Sequence, residues 1–186
     1  LKKGKSPVAV VEVNGPIMKS KKIIELLHEA EKSTGIKALI IRINSPGGAV
    51  GPTQEIFDEI VRIDKTIPVY ASFGSVAASG GYYLGAAARK IYANRGTITG
   101  SIGVIMQFMD LSEVFKLTKV KPEIIKSGKF KDLGNPSRQM RKDERRLLEK
   151  SVEVVHDQFR KDIIKRRGKR INGDLNDLTQ GQIFSG

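Results

Sequence analysis

Residues 72–83 read SFGSVAASGGYY and set two hydroxyl nucleophiles, Ser75 and Ser79, among very small side chains. Small neighbours let a substrate backbone come close, and glycine allows main-chain turns closed to other residues. Acyl transfer needs a nucleophile, a base and two main-chain N–H groups aimed at a developing oxyanion. Ser79 follows Ala77 and Ala78 and precedes Gly80 and Gly81. That is the steric setting of a nucleophile on a strand-to-helix turn, although G-x-S-x-G itself is absent. The plainer reading of the stretch is a close-packed helix–sheet contact, and composition does not separate Ser75 from Ser79. A second glycine-rich segment, NSPGG at 44–48, could supply one oxyanion amide.

The base is harder to find. His28 lies in an amphipathic segment among Glu25, Glu29 and Glu31, and His156 lies in a long charged one. Both read as surface or packing residues, which disfavours a Ser-His-Asp triad. A lysine can take the serine proton if desolvation or nearby positive charge keeps its amine neutral. The sequence carries too many lysines for composition to choose one.

Other chemistries are weakly supported. No Gly-Lys-Ser/Thr follows either glycine-rich loop, and G-x-G-x-x-G is absent, so neither loop reads as a phosphate cradle. There is no cysteine, which removes disulfides and thiolate chemistry, and two histidines cannot build a multi-histidine metal site. The formal net charge of +13 raises nucleic acid or anionic lipid as partners. Most of the excess falls in residues 116–170, with nineteen Lys/Arg against eight Asp/Glu. Acids are mixed into it, as in RKDERRLLEK, and no zinc-finger or RNA-binding signature accompanies it, so it reads first as a solvated surface.

The 186 residues suit one domain, and 39% hydrophobic with 28% charged residues describes a globular chain. No run of 18 apolar residues and no signal-peptide pattern occurs. The chain starts at Leu1, so a fragment of a longer protein is compatible with it.

The elements that must position these residues alternate. Strands are predicted at 6–13, 37–43, 68–72, 90–93, 101–108 and 122–127. Helices are predicted around 19–35, 52–63, from the small-residue stretch through Ala88, at 110–118 and over 141–167. The apolar run KALIIRI predicts a strand covered on both faces. The tail from Gly173 reads as polar, without a finished element. Alternation at short spacing predicts βαβ units and a largely parallel sheet, with ligand sites at the carboxyl ends of its strands.

Four segments in this order, IRINSPGGAV, ASFGSVAASGGYYLGAAARKIYA, TITGSIGVI and IKSGKFKDLGNPSR, resemble the signal peptide peptidase A family in its short, single-repeat form. These are Ser-Lys peptidases of the Clp protease/crotonase superfamily. The resemblance implies an α/β, Clp protease/crotonase-like fold with repeated ββα units and a mainly parallel sheet, as one catalytic domain over residues 1–186. It implies Ser79 as nucleophile and Lys131, directly before Asp132, as general base in preference to Lys129. It implies Ser101 as the residue that orients the lysine. Gly48, in preference to Gly47, and the Ser79 N–H would form the oxyanion hole.

The implied activity is an ATP-independent serine endopeptidase, without metal or cofactor, acting through an acyl-enzyme on released signal peptides or other apolar membrane-associated peptides. Ile17, Val50 and Ile102 are candidates to line an apolar groove. A single-repeat chain would share sites between neighbouring subunits of a ring-like homo-oligomer, inactive as a monomer, with no nucleic-acid partner. The family's membrane anchor and a last C-terminal element are not in the sequence. The chain is therefore expected to be a soluble fragment of a membrane-anchored, extracytoplasmic protein. A crotonase-type acyl-CoA enzyme, which would use carboxylates and finds only Glu55 near the loops, and a non-catalytic membrane-binding scaffold are the alternatives.

Overall fold

The computed structural model describes residues 6–186. Strands and helices alternate from the start: β1 (Val8–Asn14), α1 (Lys21–Lys32), β2 (Ala38–Ser45), α2 (Val50–Ile63), β3 (Val69–Ala78), α3 (Gly80–Ala87), β4 (Lys90–Tyr92) and β5 (Ile98–Gly100). Then come α4 (Ser112–Leu117), α5 (Lys142–Arg167), a single 3₁₀ turn, α6 (Leu175–Leu178) and β6 (Ile183–Ser185). The sheet order is β1-β2-β3-β5-β6, with β4 also paired to β3. All pairs are parallel except β5 with β6. The expected α/β class and mainly parallel sheet are borne out; the repeating unit is β-α-β rather than ββα.

The chain groups into two compact units, where the sequence reads as one. Residues up to Gly103 with Gln158–Gly186 form the first, and Val104–Asp157 the second.

In the first unit one face of the sheet is the core. Val11, Val13, Leu39, Ile41, Ile43, Val69, Ala71 and Phe73 bury against Leu27, Ile56, Ile60 and Leu84 from the helices. β2 does not match the expectation of cover on both faces. It buries every second residue and leaves Ile40 and Arg42 half-exposed. Tyr83 of α3 is buried, stacked on Phe57 with ring centroids 4.4 Å apart, and meets Phe159 of α5 at 4.5 Å. Its hydroxyl donates to Asp162. Burial first, then that carboxylate, raises the Tyr83 phenol above its ordinary value. Tyr82 is half-buried with its ring edge on Phe73.

Two predicted strands do not form. Residues 101–111 and 120–126 carry no regular element. The ladder of β5 ends at Gly100, and Ser101 turns into the left-handed region at φ 51°. Beyond it Ile105 and Ile125 are almost fully exposed and meet no partner strand. β-propensity without a neighbour to satisfy the backbone does not make a strand. The tail, in contrast, finishes as β6, pairing Ile183 with Gly100.

Candidate active site

β3 carries the serine segment, and its shape decides where Ser79 points. Its first half pairs with β4 at Tyr70–Ser72, and its second half pairs with β5 at Val76–Ala78. Between them the register against β2 slips, so that Ile43 faces Phe73 but Ser45 faces Ala77. Such a bulge bends a strand and re-aims the residues beyond it. Asn44 Oδ1 accepts the Val76 N–H at 3.2 Å, Arg42 donates to the Phe73 carbonyl at 2.8 Å, and Thr97 Oγ1 donates to the Gly74 carbonyl at 2.8 Å. Ser75 sits on the bulge, exposed.

Ser79 comes directly after, between β3 and α3, with φ 52° and ψ −120°. A serine held in the left-handed region costs on the order of 1–3 kcal/mol and is the backbone of a nucleophile elbow. The side chain is half-buried, and its hydroxyl has no hydrogen-bond partner among the described residues. The NSPGG loop lies against this turn. A Cβ on Gly47 would stand 2.6 Å from Gly80 N and 2.9 Å from Ser79 Cβ, and Gly47 itself has φ 97°. Only glycine fits there.

The amides around the turn are in different states. The Gly47 N–H donates to Ser45 Oγ at 3.1 Å. Gly48 forms a parallel bridge with Ile17, made by Ile17 N–H to the Gly47 carbonyl at 2.9 Å and Ala49 N–H to the Ile17 carbonyl at 2.8 Å. In that geometry the Gly48 N–H faces away from Ile17. It is exposed and has no protein acceptor among the described residues. The Ser79 N–H donates to the Gly100 carbonyl at 2.8 Å. This corrects the expectation that Ser79 supplies the second oxyanion amide, because its N–H is spent on the β5 edge. The next amide, Gly80, opens α3, where the first N–H groups have no helical acceptor. Ser101 is adjacent in the fold: the Gly100 carbonyl that holds Ser79 immediately precedes it, and the Ser101 N–H is held by Gln182 at 2.7 Å. Of the three groove candidates, Ile17 and Ile102 are core residues and only Val50 is exposed.

Lys131 belongs to the second unit, so the first unit brings together Gly48, Ser79 and Ser101 without it. Lys131 lies on an exposed turn closed by its own N–H to the Gly128 carbonyl at 3.2 Å. The neighbouring lysines are committed: Lys126 to Asp132, and Lys129 to Asp143 at 2.7 Å. The Lys131 amine has no hydrogen bond or ion pair among the described residues. Arg138 forks across Asp132 and Glu144, at 2.9 and 2.6 Å, and Glu144 is fully buried.

Lys126 and then Arg138 hold Asp132 down to about 2. Lys129 and then Arg141 do the same to Asp143, to about 2, and the Arg138 fork with the Arg141 N–H holds Glu144 to about 2. Folded values below the ordinary carboxylate range of about 4 mean stability that is present above that range and lost as pH falls through about 2. Pepsin digestion between pH 4 and pH 2 is therefore expected to cut first within residues 126–144. First cleavage inside β1–β3 would contradict it.

Elsewhere His28 bonds Glu59 at 2.7 Å, and Glu55 accepts from Ser20. Among the described residues no group of three or more His, Cys, Asp or Glu could hold a metal ion, and no helix is long and apolar enough to cross a membrane. The bulge-holding Asn44 and the Arg138 fork were not singled out from sequence. Both roles depend on partners from other elements.

A strained, unpartnered serine on a strand-to-helix turn, with a glycine loop packed on it, is the architecture used by serine acyl-transfer enzymes. The family model described as peptidase family S49 matches residues 62–186, and one described as Clp protease matches residues 9–114. The chain belongs to peptidase family S49. A Synechocystis sp. protein named as a protease is 34% identical over 181 residues, covering 96% of this chain and 65% of that protein. An Enterococcus faecium protein named as a signal peptide peptidase SppA is 34% identical, covering 86% and 46%. The chloroplastic serine protease SPPA of Arabidopsis thaliana is 32% identical, covering 98% and 29%. The chain thus spans less than two thirds of the length of these relatives.

Proposed function

We propose that the chain is the catalytic domain of an ATP-independent serine endopeptidase that cleaves apolar peptides, released signal peptides among them, through an acyl-enzyme. The observation that carries this reading is Ser79, held at φ 52° and ψ −120° with a free hydroxyl. Lys131, as the neutral amine, takes the Ser79 proton, and Ser101 orients that amine. The alkoxide attacks the peptide carbonyl, and the oxyanion is held by the amides of Gly48 and Gly80. The lysine then gives its proton to the leaving amine, and water releases the acyl group. Serine, lysine and two amides suffice, so the chemistry calls for neither metal nor cofactor.

The unpaired state of Lys131, beside two lysines bound to carboxylates, supports its choice as base. Family membership and the names of the relatives support the peptide substrates. The Clp protease match supports a Clp protease/crotonase-like scaffold. Glu55 is engaged by Ser20, which disfavours the acyl-CoA alternative.

The base and nucleophile lie in different units, and Ile105, Met109, Leu117 and Ile125 of the second unit are exposed. Exposed apolar side chains of this size are what a subunit contact would cover. Both support a homo-oligomer whose sites combine Ser79 of one subunit with Lys131 of the next. The full-length protein would act at the cell membrane, on its extracytoplasmic side, without a nucleic-acid partner.

Mixing variants tests this arrangement. Ser79→Ala and Lys131→Ala should each lose roughly 10³-fold or more in hydrolysis of a quenched apolar peptide. Co-refolding the two should restore part of the rate, because some interfaces then pair an intact serine with an intact lysine. A mixture that stays inactive, together with a monomer fully active at high dilution, would refute shared sites. Lys131→Ala with wild-type rate would refute the base.

A further inference from the structure

We infer that Arg138 and Asp132 form a clamp that positions the turn bearing the general base, and that this clamp sets the catalytic rate without touching the substrate. The inference rests on the reading of Lys131 as that base.

Lys131 sits in a segment with little to hold it. Residues 118–126 contain no regular element after α4, and residues 127–137 are turns and bends, with Asn135 in neither. A flexible base would lose most of the advantage of proximity, since a misplacement of about 1 Å can cost about a hundredfold in rate. What fixes the segment is charge. Asp132, the residue next to Lys131, receives Lys126 on one carboxylate oxygen and Arg138 Nε and Nη2 on the other, at 3.0 and 2.9 Å. Arg138 Nη2 also reaches the Asp132 carbonyl at 3.3 Å, so both the side chain and the backbone of Asp132 are gripped.

The other edge of the same guanidinium is anchored on α5. Nη1 and Nη2 donate to the two oxygens of Glu144 at 2.8 and 2.6 Å. Glu144 is fully buried and is also held by the Arg141 N–H at 2.9 Å. Two carboxylates on one planar fork define an orientation that a single ammonium cannot reproduce. On the far side of the turn, Lys126 Nζ and Arg141 Nη2 both donate to the Lys129 carbonyl, at 3.2 and 3.1 Å. Positions 129 and 132 are thus pinned on either side of Lys131. The nearby carboxylates Asp132, Asp143 and Glu144 each pair with two other cations, and the Lys131 amine pairs with none of the three.

A helix-packing role alone would reside in the Arg138–Glu144 half of the fork. The Asp132 half adds a tether at the edge of the exposed stretch 127–131 that carries Lys131, and this points to positioning rather than to core stability.

The test uses Asp132→Asn and Arg138→Lys, with Lys131→Ala as reference, measured with a quenched apolar peptide alongside the thermal midpoint. Asp132→Asn leaves the Arg138–Glu144 fork in place, so the second unit should stay folded. The expected result is a fall in kcat of about 10- to 100-fold with KM within about twofold and little change in midpoint. Arg138→Lys should fall by a similar or smaller factor, since an ammonium keeps one of the two carboxylates. Asp132→Asn with wild-type kcat, while Lys131→Ala is inactive, would overturn the clamp and leave the base intact. A loss of rate matched by loss of folded protein, or appearing only in KM, would also overturn it. Activity retained in Lys131→Ala would instead refute the underlying assignment of the base.

Discussion

Replacing Ser79 with alanine is expected to lower kcat by roughly 10⁴- to 10⁶-fold while leaving the fold intact, because it removes the proposed nucleophile and nothing that packs. Replacing it with glycine separates chemistry from strain. Ser79 holds φ 52°, a region that alanine tolerates no better than serine but that glycine enters freely. Ser79→Gly should therefore be equally inactive yet more stable than wild type by about 1 kcal/mol. Thermal midpoints of the three proteins measure this directly. A Ser79→Gly protein less stable than Ser79→Ala would mean that the turn is not strained. Ser75→Ala is the companion control. Ser75 is exposed on the bulge, and the turn does not depend on its hydroxyl, so its rate should stay within about twofold of wild type.

The second large effect is expected at Gly48. A Cβ there would lie 2.2 Å from the Ile17 carbonyl oxygen and 2.6 Å from the Ile17 nitrogen. Both are backbone atoms of a buried residue, so the loop must move rather than a side chain. Gly48→Ala should break the bridge that turns the Gly48 N–H outward, with a loss of about 100- to 1,000-fold in kcat if that amide binds the oxyanion. The overpacking should also cost about 1–3 kcal/mol of stability. Gly51 is the contrast. Nothing lies within 4 Å of its Cβ position, and it belongs to α2. Gly51→Ala should leave the rate unchanged and stabilise the helix by up to about 1 kcal/mol. Parallel kcat and urea-unfolding measurements on the two variants decide it, and a Gly48→Ala enzyme with wild-type kcat would remove Gly48 from the site.

The strand–helix alternation was legible because apolar runs such as VAVVEV and the period of IFDEIVRI report local structure through burial. The parallel sheet was implied by that alternation. The small residues around Ser79 marked a close approach, but their order could not separate a nucleophile from packing, and only the resemblance to a family singled out Ser79 over Ser75. The hidden features depend on partners far away in sequence. Asn44 reads as a loop residue until β3 bulges opposite it. The Ser79 N–H looks free until β5 brings the Gly100 carbonyl to it. SIGVIMQF and PEIIKS have the composition of strands, yet no neighbouring strand is there to pair with them. Lys126, Lys129 and Lys131 are indistinguishable until the carboxylates that take the first two are in place.

The central claim is that Ser79 is the acylated residue. Its most direct test is treatment with a serine-directed fluorophosphonate, then digestion and mass spectrometry of the adduct. The account predicts one adduct, on Ser79, absent from Lys131→Ala and accompanied by loss of peptide hydrolysis. An adduct on Ser75 or Ser101, or hydrolysis that continues with Ser79 fully modified, would contradict it.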